Sequence, residues 1–187
     1  MKKLFSLPNL LTLSRIAGSV ALLFIRPLST AFYIVYTVSG ISDALDGFFA
    51  RLTNSTSDFG AKLDSISDII FYAVMIIRLM PVLIAALPVK IWYFVAFILL
   101  IRIVCYMLAA FKYKRFAAMH TYLNKLTGLS VFLIPYFVRL NIMTVYCFIA
   151  CAIGTLAPVE EIIIHICSKS YDPSVKSIIE IKAKEKP

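Results

Sequence analysis

The amino-acid sequence predicts an all-α membrane protein with six transmembrane helices, and three observations carry that expectation. Hydrophobic residues make up 61% of the 187 positions and charged residues only 16%, against about a quarter charged in a soluble domain. Apolar runs of about 20 residues, the length that crosses a hydrocarbon core of about 30 Å, fill most of the chain. The basic residues cluster in the connections rather than along the runs, as they do in loops that fix membrane orientation.

Taken in order, the apolar runs and their breakers place helices near residues 9–26, 30–51, 58–80, 89–111, 119–139 and 141–167. Pro8 is suited to open the first, because a first-turn proline loses no helical hydrogen bond. Pro27 separates the first from the second. The polar stretch Leu52-Thr53-Asn54-Ser55-Thr56-Ser57 separates the second from the third. Pro81 and Pro88 bracket the turn before the fourth, Lys112-Tyr113-Lys114-Arg115 follows it, and Arg139-Leu140-Asn141 divides the last two.

Lys2, Lys3, Arg51, Lys62, Lys112, Lys114, Arg115, Lys125, Lys169 and the tail lysines then fall on one side, against Arg26, Arg78, Lys90 and Arg139 on the other. Both termini are therefore expected in the cytoplasm. The charged start, Met1-Lys2-Lys3, is followed by Pro8, Asn9 and Arg15 with no small-residue cleavage site, so it is expected to stay in the mature chain. Residues 1–187 are read as one membrane domain, with residues 168–187 as a cytoplasmic tail that forms a surface helix or a loose end.

The net charge of +9 lies in loops and tail and suits anionic headgroups rather than nucleic acid. Cys105, Cys147, Cys151 and Cys167 form no CxxC pair and sit in apolar runs, where a thiol behaves as a small hydrophobe. Cys147 and Cys151 lie one helical turn apart and share a packing face.

Carboxylates are costly inside a membrane and usually face a polar cavity that uses them. Asp43 and Asp46 lie three residues apart, Asp64 and Asp68 four, so each pair occupies one helix face. Four carboxylates brought together need a divalent cation or shared protons. An all-oxygen donor set favours Mg²⁺, Mn²⁺ or Ca²⁺ over zinc or copper. Gly47 and Ala50 share that face and are small enough to admit a flat ligand or another backbone, and Arg51 can grip a phosphate through its planar fork. Helix packing for the small residues and simple anchoring for Arg51 are equally compatible with the pattern.

Asp43, two residues, Asp46-Gly47, two residues, Ala50-Arg51, eight residues, Gly60, three residues, Asp64, three residues, Asp68: this pattern resembles the signature of the CDP-alcohol phosphatidyltransferase family. The opening Pro8-Asn9-Leu10-Leu11-Thr12-Leu13-Ser14-Arg15 is similar to the start of the family's first helix. The resemblance implies a six-helix fold with a cytoplasm-facing polar cavity and two divalent ions, Mg²⁺ or Mn²⁺, on Asp43, Asp46, Asp64 and Asp68. It implies Asp68 as the base on the acceptor hydroxyl, room for cytidine at Gly47 and Ala50, and Arg51 on the CDP phosphates. Asn9, Thr12 and Arg15 join the donor site by the same resemblance. On their own chemistry Asn9 and Thr12 can bond a ligand or cap a helix, and Arg15 needs an anionic partner within the membrane segment.

The implied reaction moves a phosphatidyl group from CDP-diacylglycerol to a small alcohol and releases CMP, in a homodimer of a bacterial plasma membrane. Glycerol 3-phosphate is placed ahead of serine, inositol, inositol phosphate and phosphatidylglycerol as acceptor. Arg102, His120, Thr121, Asn124, Lys125 and Thr127 form a polar patch that suits acceptor selection. A small cation transporter is the alternative, but it would spread carboxylates through the membrane depth and often show an inverted repeat.

Overall fold

Each apolar run becomes a helix in the computed structural model, which describes residues 7–52, 58–114, 119, 121–168, 171–172 and 175–180. The helices are α1 (Leu7–Phe24), α2 (Thr30–Leu52), α3 (Asp58–Ala86), α4 (Val89–Tyr113), α5 (Tyr122–Phe137) and α6 (Met143–Cys167), and no strand occurs among the described residues. In an apolar medium a backbone group has no water to bond, so the helix, which satisfies its own amides and carbonyls, is the available local structure.

The expected turn at Pro81 does not form, and α3 continues through it to Ala86. A proline removes one intrahelical bond, but fraying the apolar stretch that follows would leave many more backbone groups unpaired. Pro135 and Pro158 are carried inside α5 and α6 in the same way. Pro88, by contrast, is the extended N-cap residue of α4.

Lys62–Ala86, Val89–Tyr113 and Met143–Cys167 are long and apolar enough to cross a membrane, and Asn9–Phe24 is a shorter apolar helix. The 16 residues of α5 rise about 24 Å, short of the usual hydrocarbon thickness. The six-crossing count thus rests on the sequence reading. Of the residues in α4, only Ile91, Cys105 and Ala109 are buried, while Tyr93, Phe97, Leu99, Leu100, Ile103 and Phe111 are exposed. Such a surface suits lipid; a monomer in water rarely shows so large a contiguous apolar patch.

The chain divides into two compact units, residues 1–85 and 86–187. In the first unit α1 packs along α2. A Cβ built on Gly18 would lie 2.7 Å from Ser39 Oγ, so the two helices approach closely at a position where a larger residue would force the Ser39 side chain to move. Phe32, Tyr36 and Phe71 form a ladder of stacked rings at centroid separations of 5.8 and 5.7 Å. An Arg78 Nη2 donates to the carbonyl of Ile25 at 2.5 Å and ties α3 to the end of α1.

In the second unit α4 and α5 both pack on α6. Cys147, Ala150, Cys151, Gly154 and Ala157 are buried there at helical spacing, and small residues of this kind allow close helix approach in membranes. The packing expected of Cys147 and Cys151 is therefore seen. Part of the tail also docks. Val175 is buried with Met119 and Ile164, flanked by Tyr171 and Ile178, and the amide of Tyr122 donates to the carbonyl of Lys176 at 3.0 Å. The described tail residues are held by apolar contact and backbone pairing rather than lying loose.

Candidate active site

Three helices of the first unit bring charged side chains to one point. On α1, Asn9, Thr12, Arg15 and Ser19 recur at intervals of three or four residues and are all buried, the stripe expected of one helix face. On α2, Ser39 and Ser42 are buried beside the half-exposed Asp43. On α3, Ser67 is fully buried between Asp64 and Asp68. Tyr36 stacks on Phe71; each ring lies seven residues, two turns, beyond the carboxylate of its own helix, Asp43 or Asp64. That register runs α2 and α3 antiparallel and sets the carboxylates side by side.

Arg15 occupies the centre. Its side chain is 1% exposed, whereas those of Asp43, Asp64 and Asp68 are 52%, 45% and 43% exposed. The guanidinium lies on the protein side of the cluster, and the carboxylates keep an open side. Nε donates to Ser67 Oγ at 2.7 Å, Nη1 to Asp43 Oδ1, and Nη2 to Asp64 Oδ1 at 2.5 Å, with Asp68 Oδ1 3.4 Å from Nη2. Ser19 Oγ donates to the Arg15 carbonyl at 2.7 Å. The anionic partner that Arg15 requires in an apolar helix is thus supplied by the chain itself.

Asp43, Asp64 and Asp68 each place one carboxylate oxygen within 4.8 Å of the others. Three carboxylates against one guanidinium leave an excess of two negative charges, and the donor set is all oxygen. Both properties fit a hard divalent cation. Asp46, Gly47, Ala50 and Arg51 belong to the last turns of α2, but their side chains lie outside the described residues.

The second unit holds a separate polar network. Arg102 Nη1 donates to Glu161 Oε2 at 3.0 Å and Arg102 Nη2 to Asn124 Oδ1 at 2.9 Å. Asn124 Nδ2 donates to the same Glu161 oxygen at 3.0 Å and to the Met119 carbonyl at 2.8 Å. Arg102 and Asn124, expected in an acceptor patch, are engaged with each other and with Glu161. Thr121 caps α5 by accepting from the Asn124 amide at 3.2 Å, Lys125 is exposed, and His120 lies outside the described residues.

Ser67 and Glu161 escaped the sequence reading. Glu161 was findable, as a carboxylate in an apolar helix with His165 one turn on is anomalous in the way Asp43 and Asp64 are. Ser67 gave no such signal; serine is cheap in a membrane helix, and its value comes from the arginine it meets.

Residues 5–157 match the model of the CDP-alcohol phosphatidyltransferase family. A stretch of 75 residues is 40% identical to CDP-diacylglycerol–serine O-phosphatidyltransferase of Methanocaldococcus jannaschii, covering 40% of this chain and 34% of that protein. Identity to the CDP-diacylglycerol–glycerol-3-phosphate 3-phosphatidyltransferase of Cereibacter sphaeroides is 39% over 70 residues, covering 34% of this chain and 32% of the relative. The Escherichia coli protein of the same name is 32% identical over 78 residues, with 39% and 43% covered. The chain thus spans less than half the length of the curated relatives it matches. No solved structure matches it.

Proposed function

The chain belongs to the CDP-alcohol phosphatidyltransferase family, and from that premise we propose that it transfers the phosphatidyl group of CDP-diacylglycerol to the hydroxyl of a small alcohol, releasing CMP. The observation that carries the reading is the convergence of Asp43, Asp64 and Asp68 on one half-open point with an excess of negative charge. These residues are three of the four aspartates in the family pattern.

Asp43, Asp64 and Asp68, joined by Asp46 from the same helix as Asp43, would hold divalent ions, Mg²⁺ or Mn²⁺. When bound, such ions supply neutralisation of the donor's pyrophosphate charge. The chain's own groups do the rest. Asp68 accepts the proton of the acceptor hydroxyl as that oxygen bonds to the phosphorus next to diacylglycerol. The bond from that phosphorus to the CMP oxygen breaks, and CMP leaves with the electron pair. Gly47 and Ala50 give the cytidine a close approach to α2, Arg51 holds the phosphates, and Asn9 and Thr12 serve the donor from α1. Arg15 keeps the carboxylates apart and aimed at one point, which orients them before any ligand arrives.

Asp64 and Asp68 lie at the start of the apolar span Lys62–Ala86, so the chemistry sits within roughly 10 Å of one end of that span. The basic residues of the flanking connections support a cytoplasmic position for that end, in a plasma membrane. Glycerol 3-phosphate is the acceptor put first, with serine next; both kinds of acceptor occur in the names of the relatives. A homodimer is the proposed assembly.

The test is CMP release by the detergent-solubilised or vesicle-embedded protein with CDP-diacylglycerol, Mg²⁺ or Mn²⁺, and a panel of acceptors. CMP that requires one acceptor, the metal and Asp68, with Asp68→Asn as control, supports the proposal and names the lipid. Folded protein that releases no CMP with any acceptor overturns it.

A further inference from the structure

We propose that Cys105, Glu161 and His165 form a second metal site, in the second unit, for a borderline transition cation of the Zn²⁺ type. Cys105 comes from α4, and Glu161 and His165 are one turn apart on α6. All three are 0% exposed, and one donor atom of each lies within 4.8 Å of the others. Glu161 Oε1 and His165 Nε2 stand 3.7 Å apart. Ligands about 2.0–2.3 Å from a tetrahedral zinc lie roughly 3.5 Å from one another, so this pair already has nearly the required separation. The Cys105 sulfur lies within 4.8 Å of a donor atom of each residue of the pair.

An independent observation points the same way. Neither ring nitrogen of His165 has a hydrogen-bond partner, although both are buried. An unsatisfied buried polar group costs about 1–3 kcal/mol, and buried side-chain polar atoms are ordinarily paired. A cation bound between Nε2, the Glu161 carboxylate and the Cys105 sulfur satisfies the nitrogen that faces the cluster.

The surroundings fix the carboxylate for that task. Oε2 of Glu161 accepts from Arg102 and Asn124, each at 3.0 Å, and Oε1 accepts from the Met119 amide at 2.9 Å. Outer hydrogen bonds of this kind orient a metal ligand and raise its affinity. With the dication, a thiolate, the Glu161 carboxylate and the Arg102 guanidinium together, the occupied site carries one net positive charge. The cation replaces the thiol proton, which leaves to solvent as the metal–sulfur bond forms, and Arg102 continues to offset the carboxylate. A sulfur, nitrogen and oxygen donor set selects a borderline cation, whereas the aspartate cluster of the first unit selects a hard one. The bound ion would staple α4 to α6.

The full-length protein in detergent, stripped of metal with a chelator and dialysed, is titrated with Co²⁺ and followed by absorbance. The expected result is a thiolate-to-cobalt charge-transfer band that saturates at one equivalent, is displaced by Zn²⁺ and is not displaced by excess Mg²⁺. The band is lost in Cys105→Ser and His165→Gln and retained in Cys167→Ser and Asp64→Asn. In Asn124→Ala, which leaves all three donors in place, affinity falls about 10- to 100-fold. No charge-transfer band in the folded wild-type protein overturns the proposal, as does a band that survives Cys105→Ser or vanishes in Cys167→Ser.

Discussion

Replacing Arg15 with leucine removes the only cation seen among Asp43, Asp64 and Asp68 in the described structure. The guanidinium contacts three carboxylates. At 4 Å one such pair is worth about 1 kcal/mol in water and about 4 at the effective dielectric of a protein surface. Because the carboxylates are roughly half exposed, the lower part of that range applies, about 1–2 kcal/mol for each pair. Three pairs give about 3–6 kcal/mol. Release from the desolvation of buried Arg15 returns part of this, for a net loss of about 2–4 kcal/mol. Thermal unfolding in detergent with a chelator should therefore place Arg15→Leu well below wild type, with Arg15→Lys between them. A divalent cation that fills the same cage restores the variant, by about 2.7 kcal/mol at 100 times its dissociation constant. In the wild type the cation must share the carboxylates with the guanidinium, so Mn²⁺ should raise the melting temperature of Arg15→Leu by more than that of wild type. Equal stability of the two proteins in chelator, or an equal rise with Mn²⁺, would refute the reasoning.

Asp68→Asn keeps the shape of the side chain but cannot take a proton, and should lower the rate of CMP release about 10²- to 10⁴-fold while the protein still melts cooperatively. Gly18→Val drives a side chain into Ser39 Oγ, 2.7 Å from the built Cβ, and should cost about 1–3 kcal/mol in thermal melting; adding Ser39→Gly should recover part of it. Arg102→Met leaves the carboxylate of Glu161 buried with Asn124 and the Met119 amide as its remaining hydrogen-bond donors. It should destabilise the chain by about 3–5 kcal/mol, whereas the paired Arg102→Met, Glu161→Leu protein should be restored toward wild type, as a double-mutant cycle would show.

Helix order and number were legible because lipid leaves the backbone few alternatives, so apolar length translates into helix almost directly. The error at Pro81 came from treating proline as a stop signal, a rule drawn from chains that can hand a freed carbonyl to water. The carboxylates were legible for the opposite reason: Asp43, Asp64 and Asp68 are costly where they stand, and cost marks use. Arg15 was legible as a residue in need of a partner, but not which partner it takes, since an anionic ligand and the chain's own aspartates satisfy the requirement equally well on paper.

The sequence by itself determined the helical membrane class, the spacing that puts Asp64 and Asp68 on one face, and the family pattern from Asp43 to Asp68, because each of these is a property of one helix or one stretch of chain. Only the tertiary structure decided that Arg15 and Ser67 join the aspartates, that Arg102 and Asn124 turn to Glu161, and that Cys105 meets His165. Those contacts join side chains from different helices, and helical periodicity fixes the face a residue presents without fixing the neighbour that packs against it.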